Sequence, residues 1–162
     1  MTHTDRPLPE HTVPEGVDAA TVEAVGLVTE ALEKVERARG HLYDFHQLIG
    51  GADLKLGEAV EKLREAGHHQ IADEIERELI GRNVLDGRWT FQVVEEYDDT
   101  YWMPFRQTEE SVRDRLVQGR RHLFEANMKE DRRTHGHPLH TARPPYSGPR
   151  GATRTWPPSS PT

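Results

Sequence analysis

Cysteine is absent from the 162 residues, and serine is nearly so. Without cysteine the chain has no disulfide, no thiolate zinc site, no iron–sulfur cluster and no cysteine nucleophile. The four serines are Ser111, near a helix start, and Ser147, Ser159 and Ser160 in a proline-rich tail. A Ser–His–Asp hydrolase therefore has almost no candidate nucleophile. No run of 18 apolar residues exists, and the polar stretch Met1–Pro14 lacks the apolar core of a secretory signal. Neither a phosphate-cradling glycine loop nor H-E-x-x-H occurs. These absences point to a cytoplasmic protein without a catalytic motif.

The charge is unevenly placed. The formal net charge is −7; residues 1–107 carry −11, residues 108–133 carry +1 and residues 134–162 carry +3. Such an acidic body repels phosphate backbones, which disfavours a nucleic-acid partner. Seven of the 11 prolines fall in residues 134–162. Residues 1–16 are expected to form a disordered leader and residues 134–162 a disordered Pro/His/Arg-rich tail, leaving 17–133 as the folded domain.

Within that domain the apolar spacing is helical. Val25, Val28, Leu32, Val35, Leu42 and Ile49 fall on a 3,4 repeat, with Arg39 and His46 in the two remaining positions. One helix is expected from Asp18 to Ile49, about 45 Å long, ended by Gly50-Gly51. A second is expected from Asp53, as cap, to Ala66, and a third from His69 to Ile80. Residues 89–105 hold six of the 11 aromatics. Trp89, Val93, Tyr97, Tyr101 and Phe105 recur every four residues, so a helix is expected there, ended or kinked near Tyr101 by Pro104. The last helix is expected from Thr108 to Arg133. The fold class is all-α, a bundle of four to five helices with one long N-terminal helix.

Three groups of residues are candidates for function. Glu95, Glu96, Asp98 and Asp99 interleave with Tyr97, Tyr101 and Trp102. Like charges at i,i+3 and i,i+4 repel, so this segment needs a cation: an arginine of the last helix (Arg113, Arg120 or Arg121), a metal or a partner's basic patch. Arg39 and His46 form a polar stretch of the first seam, to be satisfied by an internal salt bridge and hydrogen bond or by an anionic ligand in a cleft. Inward His46, Glu96 and His122 are the candidate ligands for a divalent transition metal. The Glu-x-x-His pairs of ferritin-like di-iron proteins occur only as Glu65-Ala66-Gly67-His68, interrupted by Gly67, and reversed as His122-x-x-Glu125.

The leading expectation is a non-enzymatic protein that works by protein–protein association, as a homo-oligomer or adaptor, with no cofactor. The first helix is longer than its successors, so its apolar stripe either meets a partner or is covered by the next helices lying end to end. The alternative is a metal- or small-ligand-binding bundle, an oxidoreductase of ferritin-like shape.

Overall fold

The computed structural model describes residues 5–144. The fold is all-α. Helix α1 spans Ala19–Glu65, α2 His69–Glu78, α3 Thr90–Tyr97, α4 Met103–Val117 and α5 Leu123–Arg132. A π turn, Asp98–Trp102, joins α3 to α4 without a break, so the five helices make four rods.

The expected first and second helices are one. α1 has 47 residues, about 70 Å at ~1.5 Å per residue. Gly50 and Gly51 keep negative φ and do not end it. The reason lies in the register. Val25, Leu32, Arg39, His46, Asp53 and Val60 are spaced by seven, as are Val28, Val35, Leu42, Ile49, Leu56 and Leu63. The seam crosses the Gly-Gly pair in unbroken register, with both glycines off it. Burial along the seam outweighs a glycine penalty of about 1 kcal/mol each. Asp18 caps the helix as expected, its carboxylate accepting from the Thr21 N–H at 2.8 Å. The real stop is Gly67, at φ 85°.

The rest of the chain lies along α1. α2 folds back over its C-terminal end, where Arg64 bonds Asp73 (3.1 Å) and Glu76 (2.5 Å). The rod α3–π–α4 then runs antiparallel to α1. His46 meets Thr90, Arg39 meets Asp98 and Thr29 meets Glu109, in reversed order. Of the two helices expected to lie end to end along the first, the second is part of α1 and only the third, α2, lies along it, followed by the α3–π–α4 rod. The inward residues of this rod are Thr90, Val94, Asp98 and Trp102, one position after the expected stripe. Steps of four overshoot an α-helical turn by about 40°, and the wider π turn takes up the excess. Pro104 sits just beyond that turn, at the start of α4, and does not end the rod.

The expected last helix is two. Gln118 (φ 57°), Gly119 (φ 71°) and His122 (φ 58°) adopt left-handed backbone and reverse the chain. The Gly119 N–H donates to the Arg113 carbonyl, and Arg113 Nη1 donates to the Gly119 carbonyl at 2.8 Å. Thr108 is therefore mid-helix; its hydroxyl donates to the Pro104 carbonyl. α5 returns across the N-terminal end of α1, and Leu123 joins Val22, Val25 and Val117 in one buried cluster.

Residues 5–17 are packed, contrary to a disordered leader. Val13 and Val17 rest on that cluster, and Pro14 is buried. Arg133, only 4% exposed, holds Asp5 at 2.6 Å and Glu130 at 2.8 Å. Residues 134–144 of the expected tail wind back in turns, where Lys129 Nζ donates to the Ala142 carbonyl. The remainder of that expectation, 145–162, lies outside the described residues, as do residues 1–4.

Because Gly50 and Gly51 are exposed and nothing lies within 4 Å of a Cβ built on either, the double Gly→Ala substitution is expected to stabilise the protein by about 2 kcal/mol in urea denaturation. Gly119→Ala is expected to destabilise it, since its φ is positive and the new Cβ would fall 2.9 Å from the Asp114 carboxylate.

Candidate functional site

At the middle of α1 three successive seam positions are polar: Arg39, His46 and Asp53. Each meets a partner on the returning chain. Arg39 grips Asp98 with two parallel bonds of 2.7 Å, Nε to Oδ1 and Nη2 to Oδ2. His46 Nδ1 and Thr90 Oγ1 share a hydrogen bond of 2.7 Å. The Asp53 carboxylate accepts from the Gly81 N–H at 2.9 Å. Asp53 is thus no helix cap; it ties α1 to the turn after α2. That turn is stitched onward, because the Trp89 indole N–H donates to the Gly81 carbonyl at 3.0 Å.

Arg39 is the centre of the aromatic segment. Its guanidinium carbon lies 4.2 Å from the Trp102 ring centroid and 4.9 Å from that of Tyr43, and Nη2 also donates to the Tyr43 hydroxyl at 3.2 Å. Arg106 approaches the same Trp102 ring at 5.5 Å. Tyr97, Tyr101 and Phe105 stack in a row beside it, with centroids 5.6 and 6.0 Å apart. The paired side chains are mostly enclosed, Arg39 25% and Asp98 18% exposed. Hydrogen bonding to Arg39 holds the Asp98 carboxyl below its ordinary range, against a smaller opposing effect of burial. The same pairing raises Arg39, and burial pushes the Tyr97 phenol up. The Trp102 indole nitrogen is buried without a hydrogen-bond partner.

The structure therefore brings together five of the sequence candidates: Arg39 with Asp98 and Trp102, and Tyr97 with Tyr101 beside them. It separates the rest. Glu96 faces outward and pairs with Arg88, while Glu95 and Asp99 are exposed. The cations that meet this acidic segment are Arg39, from the first helix, at Asp98 and Arg88, from the preceding turn, at Glu96, rather than an arginine of the last helix.

The three metal candidates do not converge. His46 is bonded to Thr90 midway along α1, and Glu96 belongs to Arg88. His122 sits in the turn before α5, 3.9 Å from Glu125, at the other end of the rod. Among the described residues no three His, Asp or Glu side chains are grouped to hold a metal ion.

A second place was missed in the sequence. A cavity of about 350 Å³ opens between α1, α4 and α5, walled by Val22, Val25, Val117 and Leu123. At its edge Glu109 is 6% exposed, accepting from the Thr29 hydroxyl and Arg113 Nε, each at 3.1 Å. Its signal was available: Glu109 falls between Phe105 and Val112 on a 4,3 spacing, an acid inside an apolar stripe. The arrangement ties α4 to α1 and to its own C-terminal turn.

Asp98→Asn is expected to cost about 2 kcal/mol of stability in urea denaturation, the scale of hydrogen bonds to a charged group in a mostly enclosed site. Glu96→Gln, on solvent, is expected to change little. Because the folded Asp98 carboxyl is depressed, its contribution is complete above the unfolded value of about 3.9 and lost as pH falls through the lower folded one. The gap between wild type and Asp98→Asn should accordingly narrow below about pH 4.

No protein-family model matches the chain, and no curated protein or solved structure matches it.

Proposed function

We propose that this protein works by protein–protein association, as a homo-oligomer or an adaptor, with its polar residues serving structure rather than chemistry. The observation that carries this reading is the placement of the apolar side chains. Among the described residues seven hydrophobic ones are buried, the largest being Leu123, whereas sixteen large ones are exposed. Single exposed leucines are ordinary, but five of these sixteen, Leu27, Tyr43, Phe45, Leu48 and Leu54, lie on α1. Leu27, Leu48 and Leu54 on α1 are 60%, 72% and 74% exposed. The inward polar groups support the same reading. Arg39, Asp98, His46 and Thr90 are bonded to one another, so the groups best placed for chemistry are already occupied.

Among the described residues no helix is long and apolar enough to cross a membrane. The exposed apolar surface therefore suits protein surfaces better than a lipid interior.

Light scattering on untagged protein over a range of concentrations, with elemental analysis of the same sample, tests the reading. A discrete oligomer without stoichiometric metal is the expected result. A monomer at every concentration that also retains no partner in a pull-down overturns it, as does one equivalent of a transition metal that His46→Ala releases.

A further inference from the structure

α1 has a second 3,4-spaced stripe, running from Ala20 to Ala59 and set roughly a third of a turn round from the seam. None of the other helices covers it. Its large members are exposed: Leu27 60%, Phe45 40% and Leu48 72%. Alanine fills most of the intervening positions, including Ala31, Ala38 and Ala52.

The order of large and small residues in this stripe is self-complementary. Laid antiparallel on itself about a two-fold axis between Arg39 and Gly40, the stripe overlaps along its whole length. Leu27 then falls opposite Ala52 of a second copy, and Leu48 opposite Ala31. Phe45 falls opposite the aliphatic stem of Lys34, and Ala38 opposite His41. Large meets small in the layers that matter, which is how facing helices interdigitate. Sliding by one heptad loses this; one direction sets Leu27 against Phe45, the other sets Phe45 against His41.

The charge on the flank agrees. Beside the stripe, Arg37 of one copy falls next to Asp44 of the other, twice by symmetry. Arg37 has no ion pair among the described residues, and Asp44 has only a 3.8 Å approach to His41. The end pair, Glu23 with Glu58, is like-charged, but Lys55 of the second copy lies beside Glu23. A strip ~10 Å wide over ~60 Å covers about 600 Å² per partner, about 1,200 Å² in total, the lower bound for a specific interface.

The geometry points to a second copy of this chain as the occupant: the protein forms an antiparallel, two-fold dimer through the Ala20–Ala59 face of α1, in the register that sets Leu27 against Ala52. This rests on the association reading above and specifies its partner.

The chain has no cysteine, so engineered ones report alone. Full-length Leu27→Cys and Ala52→Cys proteins are mixed under mild oxidation, and the mass of Leu48→Arg is measured beside wild type, with circular dichroism to confirm that helix content is kept. The expected results are a dimer, a 27–52 cross-link with little 27–27 product, and a monomer for Leu48→Arg. Arg37→Asp should weaken the dimer several-fold, and adding Asp44→Arg should restore it. An oligomer that Leu48→Arg leaves intact, or a dominant 27–27 product, overturns this interface while association itself stands. A monomeric wild type at all concentrations overturns the dimer, leaving the pull-down to decide association with another protein.

Discussion

The three polar positions at the middle of the α1 seam determine how the rest of the chain is placed. Two antiparallel rods with an apolar seam alone can slide by a heptad at small cost. Here Arg39, His46 and Asp53 each have one partner, in Asp98, Thr90 and the Gly81 N–H. A slip of seven residues in either direction takes Arg39 away from Asp98, and an unpaired enclosed charge costs several kcal/mol. Register is thereby fixed by polar groups and stability supplied by the apolar clusters at the two ends. The buried hydrophobic residues are mostly at the ends, Val22, Val25, Val117 and Leu123 at one and Val60 and Ala72 at the other, with Val94 between them.

The same division explains why the candidate site is structural in character. A bidentate arginine–carboxylate pair stacked on Trp102 positions α3–π–α4 against α1. The cavity beside Glu109 has a similar logic, an acid in a seam satisfied by Thr29 and Arg113. Polar groups are turned inward here while large apolar ones, Leu27, Leu48 and Leu54 among them, stand exposed on α1.

Much of this was legible in the residues. The 3,4 repeat identifies the seam, Gly67 and Gly81 close the elements where expected, and the need of Arg39 for an acid is evident from its place in an apolar stripe. What misled was local punctuation. Gly50-Gly51 is a strong stop signal in isolation, yet the repeat continues through it in register from Ile49 to Leu56, Val60 and Leu63. Gly119 is a weak signal, yet it breaks a helix, because Arg113 and the left-handed Gln118 and His122 cooperate with it. The aromatic segment was assigned to the right element with its inward face one residue off. A fourfold repeat drifts on an α-helix, and nothing local announces the π turn that corrects it. The return of residues 5–17 onto the core depends on Asp5 meeting Arg133, 128 positions away. No short window reveals such a pair.

The antiparallel arrangement also orders events in time. The ties between α1 and the returning chain lengthen steadily in sequence separation: 28 residues for Asp53 with Gly81, 44 for His46 with Thr90, 59 for Arg39 with Asp98 and 80 for Thr29 with Glu109. Once the innermost tie closes, each following one adds only a short new loop, so its entropic cost is small. Closed in the order of least loop entropy, the molecule zips from the Gly81 bend toward its N-terminus, and the bonds from Arg120 Nη1 to the Thr12 carbonyl and from Arg133 to Asp5 fasten last. During synthesis the seam of α1 waits bare until the chain has turned at Gly81. For that interval both faces of the long helix are open at once.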